Sequence, residues 1–183
     1  LHCVTRRQRQ NVYKRQQEGL DAVIVNPGVI LGAGFWHTGS GAIFKLASNT
    51  MSYFTSGSIA VVDVKDVVLA MQVLMNSALK NERYILVGAT LSYKELTKEL
   101  ALAFDKNPPK REIAEWKLLF FSSIDGIVST LFGTKRKLLK ANVKSLYTRS
   151  NYNTHKIKNA LAFNFTAVSQ TINRVAELYK SEH

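Results

Sequence analysis

The sequence predicts an α/β fold built on a parallel sheet, and three observations carry that prediction. A β-branched run, Ala22-Val23-Ile24-Val25, ends sharply in Asn26-Pro27-Gly28. A buried parallel strand delivers its chain to the carboxyl edge of a sheet in this way. Strand-like and helix-like stretches then alternate along the chain. Finally, 183 residues of which 46% are hydrophobic are enough for one domain with a substantial core.

Residues 1–17 hold many Arg and Gln and no apolar period. They are expected to be an unstructured or non-native leader. Residues 11–16 read like translated adapter sequence, and the first residue, Leu1, suggests a native start elsewhere. Residues 22–26 form the first strand. Pro27 has no N–H and ends its ladder, and Gly28, Gly32 and Gly34 give a flexible loop. A short helix opens within residues 39–45. Residues 51–55 and 59–63 are short strands around Ser56-Gly57-Ser58. Residues 66–79 have helical spacing, with Val67, Ala70, Met71 and Leu74 on the inner face. Residues 83–87 form the next strand, closed by Gly88.

Ser92 and Glu95 make a capping box, each side chain satisfying a backbone N–H at a helix start. Leu96, Leu100, Ala103 and Phe104 follow as a stripe, and Asn107-Pro108-Pro109 ends that helix. Residues 113–131 read as an apolar helix and residues 134–147 as a basic one. Thr154 is expected to cap a short helix. Thr166 is expected to cap the last, with Val168, Ile172, Val175, Ala176 and Tyr179 facing inward.

Composition narrows the function classes. Cys3 is the single cysteine, so no internal disulfide forms and a reducing, cytoplasmic setting is expected. The apolar run at 118–132 is interrupted by Asp125 and falls short of the ~20 residues a bilayer needs, so no membrane association is expected. The net charge of +12 comes partly from Arg6, Arg7, Arg9, Lys14 and Arg15. The rest includes an acid-free run from Lys135 to Lys158. A solvated helix surface explains these charges, and no nucleic-acid partner is expected because no recognised module accompanies them. A basic module that binds an anionic partner is the alternative.

The motifs with chemical potential are few. Gly39-Ser40-Gly41 begins like a dinucleotide fingerprint, but Phe44 stands in its third position and no strand leads into it. Gly32-Ala33-Gly34 fails likewise at His37. Tyr152 and Lys156 have the spacing of a phenol whose pKa a neighbouring ammonium lowers for proton exchange. Here Asn153 and Thr154 mark a helix start between them, which takes Tyr152 off the shared face. His2, His37, His155 and His183 are scattered and match no metal frame, and no Gly-x-Ser-x-Gly elbow is present. Asp63 and Asp66 come closest to a functional pair, although a helix cap plus a loop anchor is the preferred explanation of them.

In order along the chain, five pieces resemble one enzyme family. They are Gly19-Leu20-Asp21-Ala22-Val23-Ile24-Val25-Asn26-Pro27-Gly28; Gly39-Ser40 with Phe44; Val62-Asp63-Val64-Lys65-Asp66-Val67 with Ala70; Glu82-Arg83-Tyr84-Ile85-Leu86; and Lys156-Ile157-Lys158 with Ala160, Leu161 and Phe163. Together they resemble the C-terminal part of an extended short-chain dehydrogenase/reductase, of the dihydroflavonol-reductase-like branch of the NAD-dependent epimerase/dehydratase group. The resemblance implies that residues 18–90 are the last strands and helices of a Rossmann-type parallel sheet. It implies that residues 91–183 form a smaller, mostly helical substrate-binding lobe. The cofactor would be NAD or NADP. Pro27, Gly28, Val29 and Ile30 would touch its carboxamide end and Ser40 would lie near it, with Phe44 and Asp63 at the substrate. The family usually has Pro where Ala33 stands. Its glycine-rich phosphate turn and its catalytic Ser and Tyr-x-x-x-Lys are expected upstream of this chain.

The activity so implied is hydride transfer between NAD(P)H and a carbonyl or hydroxyl carbon of a small molecule. A ketone reductase is preferred and a nucleotide-sugar epimerase is the alternative, and the chain alone is expected to be inactive. Strand 22–26 would lose a neighbour, and its open edge would favour aggregation.

Overall fold

A computed structural model describes residues 19, 21–132 and 140–183. The expected leader, Cys3, and residues 133–139 of the basic run lie outside them. The β-branched run after Ala22 forms β1 (Ile24–Pro27), which pairs in parallel with β5 (Arg83–Leu86). Among the described residues β5 is the one strand paired with β1.

Strand β4 (Ser58–Asp63) is the centre of the fold. Its alternating side chains enter two cores, which is why its sequence is nearly continuously apolar. Val61 joins Leu31, Phe44, Leu100, Ile172 and Tyr179 in one core. Val62, on the opposite face, joins Val67, Leu74, Tyr84, Leu86 and Ile157 in the other. Two neighbours of β4 correct the sequence reading. Val29–Leu31, expected as part of a loop, is β2, parallel to β4 with Val29 opposite Val61. Ala89–Ser92 is β6, antiparallel to β4. Each is short, and its pairing depends on a strand far away in sequence, so neither has a local signature.

Around these strands run α1 (Gly41–Ala47), α2 (Val64–Met75) and α3 (Tyr93–Ala103). The chain continues through α4 (Glu115–Phe132), α5 (Lys140–Ser145), α6 (His155–Leu161) and α7 (Val168–Glu182). A two-residue pair, β3 (Tyr53–Phe54) with β7 (Arg111–Glu112), fastens the lobe. The capping box of α3 is formed: Ser92 Oγ accepts the Glu95 N–H at 3.1 Å, and Glu95 accepts the Ser92 N–H at 2.8 Å. Helix α7 buries Ile172, Val175, Ala176 and Tyr179 as its spacing predicts.

Three expectations are corrected. Met71 is 45% exposed, outside the buried stripe of α2. Thr154 makes no side-chain cap, and Asn153 Oδ1 instead accepts the His155 N–H at 2.8 Å. Thr166 does not cap α7, because its hydroxyl and its N–H both donate to Asp66. No helix among the described residues is long and apolar enough to cross a membrane.

Candidate functional site

A fork in the sheet creates the site. Gly28 donates its N–H to Leu86 O at 2.9 Å, the last step of the β1–β5 ladder. A Cβ at Gly28 would lie 2.7 Å from Ala60 O, so only glycine lets the chain pass over β4 here. On the other arm Gly88 donates to Val61 O at 2.8 Å. β4 thus follows on where β1 and β5 part, and a cleft of about 700 Å³ opens beside it.

The floor of this cleft is apolar. Val29, Ile59, Ala60, Ile85 and Val87 line it, with Pro27 and Gly28 at the end of β1. Ser58, Tyr93, Thr148, Ser150 and Tyr152 bring hydroxyls to it. The last three belong to a segment that the sequence reading left unassigned. Gly57 and Ser58 donate their N–H groups to Leu146 O and Thr148 O at 3.1 and 3.0 Å, and Ser150 N–H donates to Ser58 Oγ at 2.9 Å. A Cβ on Gly57 would stand 2.4 Å from Leu146 O, so that glycine is required for the clamp. Burial raises the pKa of the Tyr93 phenol, which stays protonated at neutral pH.

Three of the expected cofactor contacts, Pro27, Gly28 and Val29, meet at this cleft. The other expected site residues lie elsewhere. Ile30 packs against the core of Val62 and Leu86. Ser40 precedes α1, makes no side-chain cap and accepts the Ile43 N–H through its carbonyl at 3.0 Å. Phe44 is fully buried, edge-on to Trp36 at 6.5 Å between ring centroids. Trp36 escaped the sequence reading although it anchors the same core. Its indole N–H donates to Glu182 at 2.5 Å, and its ring meets Tyr179 at 4.9 Å.

Asp63 and Asp66 form a polar hub at the end of β4. Asp63 caps α2 by accepting the Lys65 N–H at 2.8 Å, and it also accepts Thr171 Oγ1 at 2.8 Å and the Arg174 guanidinium at 2.5 Å. Burial pushes its pKa up. The hydrogen bonds from Lys65, Thr171 and Arg174, with the Arg174 charge, outweigh burial and hold it below the usual value. Asp66 binds the Thr166 N–H and hydroxyl at 2.7 and 2.8 Å. Cap and loop anchor are therefore the observed roles of the two carboxylates. Tyr152 lies before α6, while Lys156 on α6 pairs with Glu82 and sits 5.2 Å from the Tyr84 ring centre. No group of three or more His, Cys, Asp or Glu among the described residues could hold a metal ion.

A parallel β1–β5 pair, a glycine crossing and a helical lobe together define a fold that can be compared with solved structures. The crystal structure of gox2253 superposes with a TM-score of 0.76 at 18% identity, over 96% of this chain and 54% of that one. A nucleoside-diphosphate-sugar epimerase from Pseudomonas aeruginosa gives 0.69 at 19% identity, over 94% and 52%. UDP-glucuronic acid 4-epimerase from Bacillus cereus, in complex with UDP-glucuronic acid and NAD, gives 0.67 at 10% identity, over 98% and 52%. The chain has the Rossmann-type α/β fold of these solved structures, matched over about half of each. The chain spans about half the length of the solved structures it matches. No protein-family model matches the sequence, and no curated protein is significantly similar to it.

Proposed function

We propose that this chain supplies the nicotinamide-facing loop and the substrate lobe of an NAD(P)-dependent oxidoreductase, preferably a ketone reductase. The observation that carries this reading is the position of Pro27, Gly28 and Val29: they stand where a parallel strand ends, and they line the cleft of about 700 Å³. Open α/β sheets bind ligands at such carboxyl ends.

The residues present fit the nicotinamide end of the cofactor. The floor of Val29, Ile59 and Ile85 is apolar enough to receive a flat ring, and the backbone at Pro27 and Gly28 borders it. They offer no glycine-rich turn for the cofactor's phosphates. When bound, the nicotinamide supplies or takes the hydride. Around it this chain's own residues exclude water and place the carbonyl of the substrate beside the loop. Proton exchange falls to a Tyr-x-x-x-Lys on an upstream segment, a reading supported by Tyr152 preceding α6 and Lys156 pairing with Glu82. On this reading the 183-residue chain alone is inactive and works in the cytoplasm. A nucleotide-sugar epimerase of the same fold is the second reading, favoured by the epimerases among the solved structures it resembles.

Sequencing the coding DNA upstream of Leu1 tests the proposal. It should continue in frame into a glycine-rich turn and a Tyr-x-x-x-Lys. The joined protein should then oxidise NAD(P)H when given a ketone. A start codon immediately upstream, or a joined protein that turns over no carbonyl substrate, overturns it.

A further inference from the structure

The segment from Leu146 to Tyr152 divides between residues that line the cleft and residues that anchor it. Thr148, Ser150 and Tyr152, at alternate positions, line the cleft. The residues between them are anchors: the Tyr147 hydroxyl donates to Ile113 O at 2.6 Å, and Arg149 Nε donates to Ser56 O at 3.1 Å. These bonds tie the segment down beside the cleft. Backbone bonds to Gly57 and Ser58 hold the segment at the start of β4. The Thr148 hydroxyl is spent on Lys144 O at 3.0 Å. Those of Ser150 and Tyr152 donate to no protein acceptor among the described residues, and Tyr152 is 45% exposed. Cleft residues whose hydroxyls have no protein acceptor among the described residues, set among apolar lining residues, suit a ligand with oxygen on one edge and hydrocarbon on the other.

Charge narrows the ligand class further. The cleft has no acidic residue among its described lining residues, and Arg83 is its only Lys or Arg. Helix α3 starts at the cleft residue Tyr93, but the ionised Glu95 already occupies its N-terminus through the capping box. A diphosphate, which wants several N–H or cationic donors, finds few here.

We propose that Ser150 and Tyr152, held in place by the anchored segment 146–152, are specificity-determining residues. They bind the oxygen-bearing edge of an uncharged, otherwise apolar ketone or alcohol. The proposal rests on the oxidoreductase reading above and deepens it by naming the substrate class.

NMR titration of the 15N-labelled chain with 1-tetralone and with tetralin, its analogue without the carbonyl oxygen, tests the proposal. Reduced nicotinamide mononucleotide serves as an independent probe of the loop. The ketone should bind at least about fivefold more tightly than the hydrocarbon, the worth of one hydrogen bond. Ser150→Ala with Tyr152→Phe should abolish that preference and leave the shifts that the mononucleotide causes at Gly28 and Val29 unchanged. Equal binding of ketone and hydrocarbon by the unsubstituted chain overturns the proposal, whether or not the variant folds. So does a preference that survives the double substitution, or tighter binding of UDP-glucose than of tetralone. In each of these cases mononucleotide shifts at Gly28 leave the cofactor reading standing. If neither the mononucleotide nor tetralone shifts any cleft residue, both readings fall.

Discussion

The two ends of β4 solve opposite problems. At its end, Asp63 is 3% exposed and Asp66 6% exposed, yet each carboxylate is filled with donors from Lys65, Thr171, Arg174 or Thr166. At its start, Ser58 and the segment clamped to it present hydroxyls to a cleft, and those of Ser150 and Tyr152 lack protein acceptors. Buried polar groups must be satisfied or they cost stability. Polar groups at an open cleft are satisfied by water, so they remain available to a ligand. One strand thus carries a closed polar hub that ties α2 to α7, and an open polar wall. The contrast teaches that the sequence's acidic pair serves as cap and anchor, and that Ser150 and Tyr152 are the better candidates for binding.

The largest effect should come from breaking the hub. Asp63→Ala leaves Arg174 and Thr171 without their acceptor and uncaps α2. It should cost about 3 kcal/mol, within the range for removing one partner of a buried pair. Urea denaturation followed by circular dichroism would measure it, and a loss below about 1 kcal/mol would break the claim that the hub is structural. At the other end of β4, the backbone clamp depends on Gly57. Gly57→Ala drives a methyl into Leu146 O and should cost about 2 kcal/mol. The damage should be local, with chemical-shift changes concentrated at residues 146–150.

Acid should act on one end only. The folded-state pKa of Asp63 lies below its unfolded value, so its stabilising contribution is present above that unfolded value, about pH 4. It is lost as pH falls through the lower folded-state value. The stability advantage of the unsubstituted chain over Asp63→Asn should therefore hold at pH 7 and narrow as pH drops below about 4. An advantage independent of pH would assign the hub's strength to packing instead of charge.

What was legible in the sequence had local causes. The capping box at Ser92 and Glu95, the stripe of α7, and the strand-forming runs of β1 and β5 each announce themselves within a few residues. What was missed depends on distant partners. β2 is a strand because β4 lies beside it, and β6 for the same reason. The segment 146–152 lies at the cleft because Gly57 and Ser58 hold it there. Thr166 has the side chain of a good cap, but Asp66 competes for its hydroxyl and N–H and wins. Phe44 shows the limit of pattern for the site itself: an aromatic after a glycine loop reads equally as pocket lining or core, and only packing against Trp36 decides.

The smallest effect is the sharpest test of the comparison. Ser150→Ala and Tyr152→Phe each remove a hydroxyl that donates to no protein acceptor among the described residues. The backbone N–H of Ser150 keeps its bond to Ser58 Oγ, so the clamp survives both changes. Unfolding free energy should move by less than about 0.5 kcal/mol in either variant, as for surface sites away from any network. A loss of about 1 kcal/mol or more would mean that these hydroxyls hold the fold as the Asp63 and Asp66 carboxylates do. The two ends of β4 would then be alike, and the cleft would have no polar wall to spare for a ligand.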